Sequence, residues 1–267
     1  MKQILCKEAR KTLAVLILLL CVAGCVRTPH FEVLNSSSES LVPADSELPV
    51  SYRTQVSLDY PLAKGDTSHV VTSMRRAIVA NALGWQFDTV DVDTAVQIYV
   101  DSLAGDFRTL ASEMSSAGMY EGGREEEVAE WFDTITGYYA GSKGHYSSYV
   151  IEASGYSGGA HPESGVIGLV FNLLDGSQLT LDDLFVPGFD EVLGELITSH
   201  VAESLPEGGE EALFTTSIMP TGNFVLTGRS ITFIYNPYEI GPYSLGPVHI
   251  SVPVKECASA GILAVKL

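Results

Sequence analysis

Cysteine usage is the feature that most constrains how this chain can fold. Three of its four cysteines, Cys6, Cys21 and Cys25, lie in the first 25 positions. Beyond them only Cys257 remains, so the body of the chain can form neither an internal disulfide nor a cysteine-rich metal site. The fold must therefore be stabilised by an apolar core. The 243 residues that follow position 24 in this chain of 267 are enough for one domain or two small ones.

The first 24 residues have the three parts of a bacterial export signal. A basic start precedes an unbroken apolar run from Leu13 to Val22, which suits a signal peptide but is too short to span a bilayer stably. The run ends in Val22-Ala23-Gly24-Cys25, which resembles the bacterial lipobox. We therefore expect residues 1–24 to be removed and Cys25 to carry more than one acyl chain, which anchors a protein stably. An ordinary secretory signal is the alternative.

Removal of the signal leaves an acidic protein. It takes away four basic residues and one acid, so 11 basic and 32 acidic residues remain, with a formal charge of −21. This charge argues against a nucleic-acid partner and against adsorption to anionic head groups, so the lipid on Cys25 is the expected membrane attachment. It would attract a cationic partner, although it could also serve solubility alone. Val26 after Cys25 is not the aspartate associated with inner-membrane retention, which favours the outer membrane if the cell has one; otherwise the anchor lies in the cell membrane.

The first half of the exported chain has mainly helical patterns. Residues 25–48 are rich in serine, acids and proline, and we predict a flexible tether there. Alternation then predicts a strand over 50–58, and apolar spacing predicts helices over 68–84 and from about 93 to 114. A third amphipathic segment, Arg124 to Thr136, is also expected to be helical, with three glutamates in its first turn.

After Tyr146 the apolar pattern changes to the period of two that is typical of strands. We predict antiparallel neighbours at 149–155 and 166–174, and a short strand that runs into a turn over 179–185. A helix over about 189–204 and strands at 223–227, 230–235 and 248–254 follow. The expected fold is α+β, with a largely antiparallel sheet packed against amphipathic helices. Residues 49–146 would form a helix-rich N-terminal half of the module, and residues 147–267 a sheet-rich C-terminal half.

Two loops stand out as candidate binding surfaces. The first, Gly158–Pro162, joins two predicted strands, and the second, Tyr238–Tyr243, joins two others; both combine glycine and proline with aromatic residues. Rigid aromatic contacts suit carbohydrate or protein recognition. We predict that the loops lie side by side and form the recognition surface, although the tyrosines could instead pack on the sheet. The candidate residues are Tyr156, Gly158, Gly159, His161, Tyr238 and Tyr243.

The same segments carry a family resemblance. The chain contains, in this order, a predicted strand, Gly158-Gly159-Ala160-His161, a predicted strand with a turn, Leu181-Asp182-Asp183-Leu184-Phe185, a predicted helix, and the run from Tyr235 to Tyr243. This order resembles the extracytoplasmic domain shared by RsiV-like anti-sigma factors and PdaC-type peptidoglycan deacetylases. The resemblance implies a ligand-binding module, which in the RsiV-like proteins binds lysozyme. The sequence shows neither a sigma-binding segment nor a deacetylase domain, so we expect neither of those activities.

Motifs for catalysis are absent from the sequence. The mature chain has six histidines, and none forms a metal-binding pattern with another; neither a nucleophile elbow nor a phosphate-binding loop occurs. We expect no cofactor and no metal, and we expect His161 to be structural or ligand-facing. The sequence therefore favours a lipid-anchored envelope module that recognises lysozyme or a peptidoglycan-related ligand. A structural envelope lipoprotein and an undetected envelope hydrolase, whose paired carboxylates would leave no sequence signature, are the alternatives.

Overall fold

A computed structural model describes residues 31–44, 50–63, 68–117 and 129–267. Five strands form the first sheet in the order β1-β2-β3-β4-β5. Neighbouring strands are antiparallel except for the parallel pair of β2 and β3. The strands are β1 (Phe31–Val42), β2 (Val50–Ala63), β3 (Ala129–Lys143), β4 (Tyr146–Tyr156) and β5 (Glu163–Asn172).

The predicted tether over 25–48 is wrong for most of its length. Strand β1 pairs with β2 along its whole length, from Phe31 opposite Ala63 to Val42 opposite Tyr52. The serine-rich composition suggested a chain that cannot bury apolar surface. An edge strand, however, is ordered by backbone pairing, and its polar side chains make cross-strand bonds, as when the Asn35 amide donates to the Asp59 carboxylate. Residues 25–30 and 45–49 lie outside the described residues.

Two helices cover one face of this sheet, as the apolar spacing predicts. They are α1 (Ser68–Leu83) and α2 (Val92–Ser116). The Asp91 carboxylate accepts hydrogen bonds from the backbone N–H groups of Asp93 and Thr94, which fixes the start of α2. Apolar side chains from both helices and four of the strands form one core, including Val56, Leu58, Met74, Ile78, Val96, Tyr149 and Phe171.

The predicted helix over 124–136 is wrong, because residues from Ala129 onward form β3. Over so short a stretch its aromatic and β-branched side chains fit both the helical period of 3.6 and the strand period of two. The segment is a strand because it pairs with β2 on one side and with β4 on the other. Residues 124–128, with the three glutamates, lie outside the described residues. The boundary set at 146/147 falls just inside β4, after the turn of the β3–β4 hairpin, so the two predicted halves share one sheet.

Strands β4 and β5 are antiparallel neighbours, as predicted. The short strand expected over 179–185 is wrong. One bridge joins Gln178 to Phe171, and the chain then forms the single-turn helix α3 (Leu181–Leu184). Thr180 and Asp183 form a capping box at its start, which stabilises a helical turn over extended backbone. Helix α4 (Asp190–His200) follows, shorter than predicted, with a 3₁₀ turn at Ala202–Ser204.

The three strands predicted near the C-terminus form a second antiparallel sheet in the order β6-β7-β8. They are β6 (Phe224–Thr227), β7 (Ser230–Tyr235) and β8 (Val248–Pro253), and helix α5 (Val254–Ser259) follows them. This sheet and α4 bury a second core around Leu193, Ile197, Phe233, Ile250 and Cys257. The fold is therefore α+β with predominantly antiparallel sheets packed against helices. No helix of the described residues is long and apolar enough to cross a membrane.

Candidate functional site

The loop between β4 and β5 takes its shape from glycine backbone and one tyrosine. Gly158 and Gly159 have φ angles of +97° and +102°, which side chains rarely adopt. The Tyr156 hydroxyl donates to the Gly159 carbonyl at 3.0 Å and closes the loop. These three residues shape the loop, which leaves His161 exposed at its exit.

The loop between β7 and β8 contains an unusual turn. Glu239 N–H donates to the Asn236 carbonyl at 3.1 Å, and Pro237 and Tyr238 occupy the two central positions. Tyr238 has a φ of +73° and is the one non-glycine residue with positive φ in the described part of the chain. A type II turn needs positive φ at this position, where glycine is the usual choice. The Tyr238 N–H donates to the Gly241 carbonyl at 2.9 Å, which helps to hold this backbone.

The two loops meet through three side chains, which we call the aromatic cluster: His161, Tyr238 and Tyr243. The His161 and Tyr243 rings stack with centroids 3.8 Å apart and planes inclined by 14°. The Tyr238 ring lies 6.4 Å from that of Tyr243, and its hydroxyl lies 3.3 Å from His161 Nε2. His161 Nδ1 is 2.8 Å from the Pro162 carbonyl, so Nδ1 donates there, and in the neutral ring Nε2 accepts from Tyr238.

The structure thus brings the two predicted loops together, although by a different route. A single sheet was expected to place both loops at one end. The loops belong to different sheets, since Gly158–Pro162 joins strands of the first and Tyr238–Tyr243 joins strands of the second. Cys25, the expected lipidation site, lies outside the described residues.

Two asparagines that the sequence analysis did not single out lock the sheets to each other. The Asn236 amide accepts from the Val166 N–H at 2.7 Å and donates to the Val166 carbonyl at 3.1 Å. The Asn223 amide also donates to the Val166 carbonyl and accepts from the Gly168 N–H at 2.6 Å. These two side chains, which flank β6 and β7 of the second sheet, therefore form hydrogen bonds with backbone groups at the outer edge of β5 that would otherwise be unpaired. Asn236 stands one residue before the Pro237–Tyr238 turn, so this lock also positions the aromatic cluster.

Residues 182–255 match the sequence profile of DUF3298, described as a protein family of unknown function. The chain contains a DUF3298 domain. This domain runs from α3 to the start of α5 and supplies Tyr238 and Tyr243, whereas His161 comes from the chain before it. The aromatic cluster therefore lies on the border between the DUF3298 domain and the five-stranded sheet.

Solved structures share the fold beyond the DUF3298 domain. A DUF3298 family member from Bacteroides fragilis superimposes with a TM-score of 0.78 at 23% identity, over 89% of this chain and 95% of that one. A DUF3298 family protein from Pseudomonas aeruginosa gives a TM-score of 0.59 at 16% identity, over 88% of this chain and 95% of that one. No curated protein matches the chain. At these identities the likeness concerns the fold alone.

The surroundings of the aromatic cluster are acidic. Glu163 follows its first loop and Glu239 lies within its second, and both side chains are exposed. The sequence has no lysine or arginine between positions 156 and 163 or between 236 and 247. Three or more potential metal ligands do not gather anywhere among the described residues. The cluster and its borders thus offer aromatic faces, hydroxyl groups and negative charge.

Proposed function

We propose that this chain is an exported lipoprotein, anchored through Cys25, whose aromatic cluster recognises a basic protein, with lysozyme as the first candidate. The proposal combines the export signal and lipobox-like sequence with the family resemblance and the geometry of the two loops. Tyr156, Gly158 and Gly159 would shape the surface, and His161, Tyr238 and Tyr243 would contact the partner.

The observation that carries this proposal is the backbone of Tyr238. A non-glycine residue with left-handed backbone costs about 1–3 kcal/mol and persists only where its surroundings hold it. Tyr238 nevertheless stands where glycine would be less strained, and 59% of its surface is exposed to solvent. Core packing therefore does not explain a tyrosine here. Contact with a partner does, because a rigid aromatic ring supplies a large contact area at low entropic cost.

Charge supports a basic partner over a neutral one. The exported chain has a formal charge of −21; Glu163 directly follows the first cluster loop, Glu239 lies within the second, and neither loop contains a lysine or arginine. An acidic surface accelerates the encounter with a cationic protein and directs it to the matching patch. Aromatic contacts then supply the short-range part of the affinity, as at the central positions of many interfaces.

The topology supports presentation of the cluster away from the anchor. Strand pairing places Phe31, Lys143, Tyr146 and Asn172 at one end of the first sheet, and the turn between Tyr156 and Glu163 at the other. The ten residues of β5 separate these ends by about 30 Å. Cys25 lies six positions before Phe31, a span of at most about 22 Å. The anchor would therefore hold the Phe31 end near the bilayer and leave the cluster facing outward.

Calorimetric titration of the full chain, in detergent micelles, with lysozyme tests the proposal. We expect saturable binding that weakens as salt rises from about 0.05 M to 0.5 M, because salt screens exposed charges. Binding of peptidoglycan fragments with no binding of lysozyme would replace the proposed partner by a glycan. Turnover of those fragments would replace the recognition function by an enzymatic one, and no binding of either would favour a structural lipoprotein.

A further inference from the structure

A groove of mixed polar and apolar lining lies beside the aromatic cluster, between the two sheets. Its volume is about 390 Å³, which is within the usual range for a ligand site. One wall is the face of β3, β4 and β5 near their cluster end, and the other is formed by Pro247 and His249 at the start of β8. Pro247 and Tyr243 belong to the same loop, and Ser164 of the groove lies three residues after His161. The groove therefore continues the surface of the cluster.

The groove offers acceptors and one negative charge. Hydroxyl groups from three adjacent strands line it, namely Thr134, Thr136, Ser154 and Ser164. Glu152 lies among them, and its Oε1 accepts a hydrogen bond from the Tyr138 hydroxyl at 2.7 Å. Its Oε2 has no hydrogen-bond partner in the described part of the chain. One carboxylate oxygen is thus held in place, and the other is available to a ligand.

The second ionisable group of the groove is His249. Burial lowers the pKa of its imidazole, and the negative charge of Glu152 opposes that shift. Because the lowered pKa leaves His249 mainly neutral at pH 7, its ring does not cancel the charge of the Glu152 carboxylate. The lining residues include no lysine or arginine. The groove therefore presents net negative charge together with hydroxyl acceptors.

We propose that this groove receives one cationic side chain of the protein partner, an arginine or lysine that is held by Glu152 while the partner covers the aromatic cluster. The proposal rests on the proposed function and adds the chemical group that is recognised. A guanidinium or ammonium group donates several hydrogen bonds, and a carboxylate with surrounding hydroxyl oxygens accepts them. A neutral saccharide would gain little from the charge of Glu152, so the charge favours the cation.

Nα-acetyl-arginine methyl ester, whose single charge is the guanidinium, and its neutral isostere, Nα-acetyl-citrulline methyl ester, are the probes that test this assignment. Titrated against the full chain in detergent micelles and followed by NMR, the arginine ester should shift the signals of Glu152 and His249 and bind more tightly than citrulline ester. Glu152→Gln should weaken arginine binding about tenfold. Glu195→Gln, which removes an exposed charge from α4 outside the groove, should leave it unchanged.

Equal binding of the two esters, no binding of either, or unchanged arginine binding by Glu152→Gln would overturn the assignment. Binding of N-acetylglucosamine oligomers in the groove, unaffected by Glu152→Gln, would overturn it in favour of a saccharide. The lysozyme titration remains separate from these outcomes. If lysozyme binds and the arginine ester does not, the groove assignment fails and the proposed function stands; if only the ester binds, the groove stands and lysozyme is the wrong partner.

Discussion

The imidazole of His161 stacks on the ring of Tyr243, with centroids 3.8 Å apart and planes inclined by 14°. This contact joins a loop of the five-stranded sheet to a loop of the DUF3298 domain. The stack depends on how the two sheets are fixed to each other, and neither loop alone would form it.

Gly168 is expected to be essential for the close approach of the sheets. A Cβ atom at this position would lie 2.7 Å from the Phe224 carbonyl oxygen, which is backbone and cannot rotate away. Gly168→Ala should lower the free energy of unfolding by about 1–3 kcal/mol in urea denaturation. Gly105→Ala is the matched control, because Gly105 lies within α2 with no atom within 4 Å of its added Cβ. That variant should gain about 0.5–1 kcal/mol from helix propensity. Equal effects of the two changes would contradict the packing described.

Asn236 is expected to contribute to stability as well as to loop position. Asn236→Ala leaves the Val166 N–H without its 2.7 Å acceptor, in a partly buried setting. An unsatisfied buried donor costs about 1–3 kcal/mol, which urea denaturation would detect as a lower midpoint with unchanged slope. Asn81→Ala is the control, since the Asn81 amide donates only to the exposed carbonyl of Ala77 in its own helix. An Asn236→Ala midpoint equal to that of Asn81→Ala would show that the lock is dispensable.

Local patterns predicted most of the described elements, and long-range pairing explains the failures. Helices α1 and α2 and strand β8 follow from apolar spacing because each buries one face, whereas β6 and β7 are short apolar runs that are buried on both faces. Strand β1 does not, since its order comes from pairing with β2 and its sequence is mostly polar. The apolar pattern of residues 129–136 fits both a helix and a strand, and pairing with β2 and β4 makes this segment a strand. The side-by-side loops were predicted from composition, but the groove around Glu152 needs two sheets whose relative position no local pattern encodes.

The clamp between α4 and α5 is expected to make stability depend on pH. His200 Nε2 lies 2.9 Å from the Glu256 carboxylate, and this hydrogen bond is the main reason why the pKa of His200 is raised, with Glu203 adding to it. Because the folded-state pKa exceeds the unfolded one, protonation stabilises the fold. The contribution is complete below the unfolded pKa of about 6.5 and is lost as pH rises through the raised value.

A comparison of the native chain with Glu256→Gln measures this clamp. The difference between their free energies of unfolding should be larger at pH 5.5 than at pH 8.5, because His200 loses its proton as pH rises through its raised pKa. The Glu195→Gln variant controls for the loss of a surface charge and should show no such pH dependence. A difference that is constant between the two pH values would mean that the charge on His200 contributes nothing.

Lipidation is expected at Cys25 and not at Cys257. Cys257 is buried in the second core, and burial raises the pKa of its thiol to about 11, so its thiolate is scarce. Metabolic labelling with a palmitate analogue should therefore mark the native chain and Cys257→Ser equally. Cys25→Ser should lose the label and leave the detergent phase. Undiminished labelling of Cys25→Ser would exclude this anchor.

The affinity of Tyr238→Ala for lysozyme, measured beside its melting temperature, tests the central claim most directly. Tyr238 is exposed, its hydroxyl makes one long contact with His161, and alanine keeps a side-chain Cβ on the same backbone, so the melting temperature should stay within about 2 °C of the native value. Affinity should fall at least about tenfold, as expected for an aromatic hot spot. Trp85→Ala, which removes an aromatic residue that is 82% exposed outside the cluster, should change neither quantity. Unchanged affinity in Tyr238→Ala, or a loss matched by Trp85→Ala, would contradict recognition through the aromatic cluster.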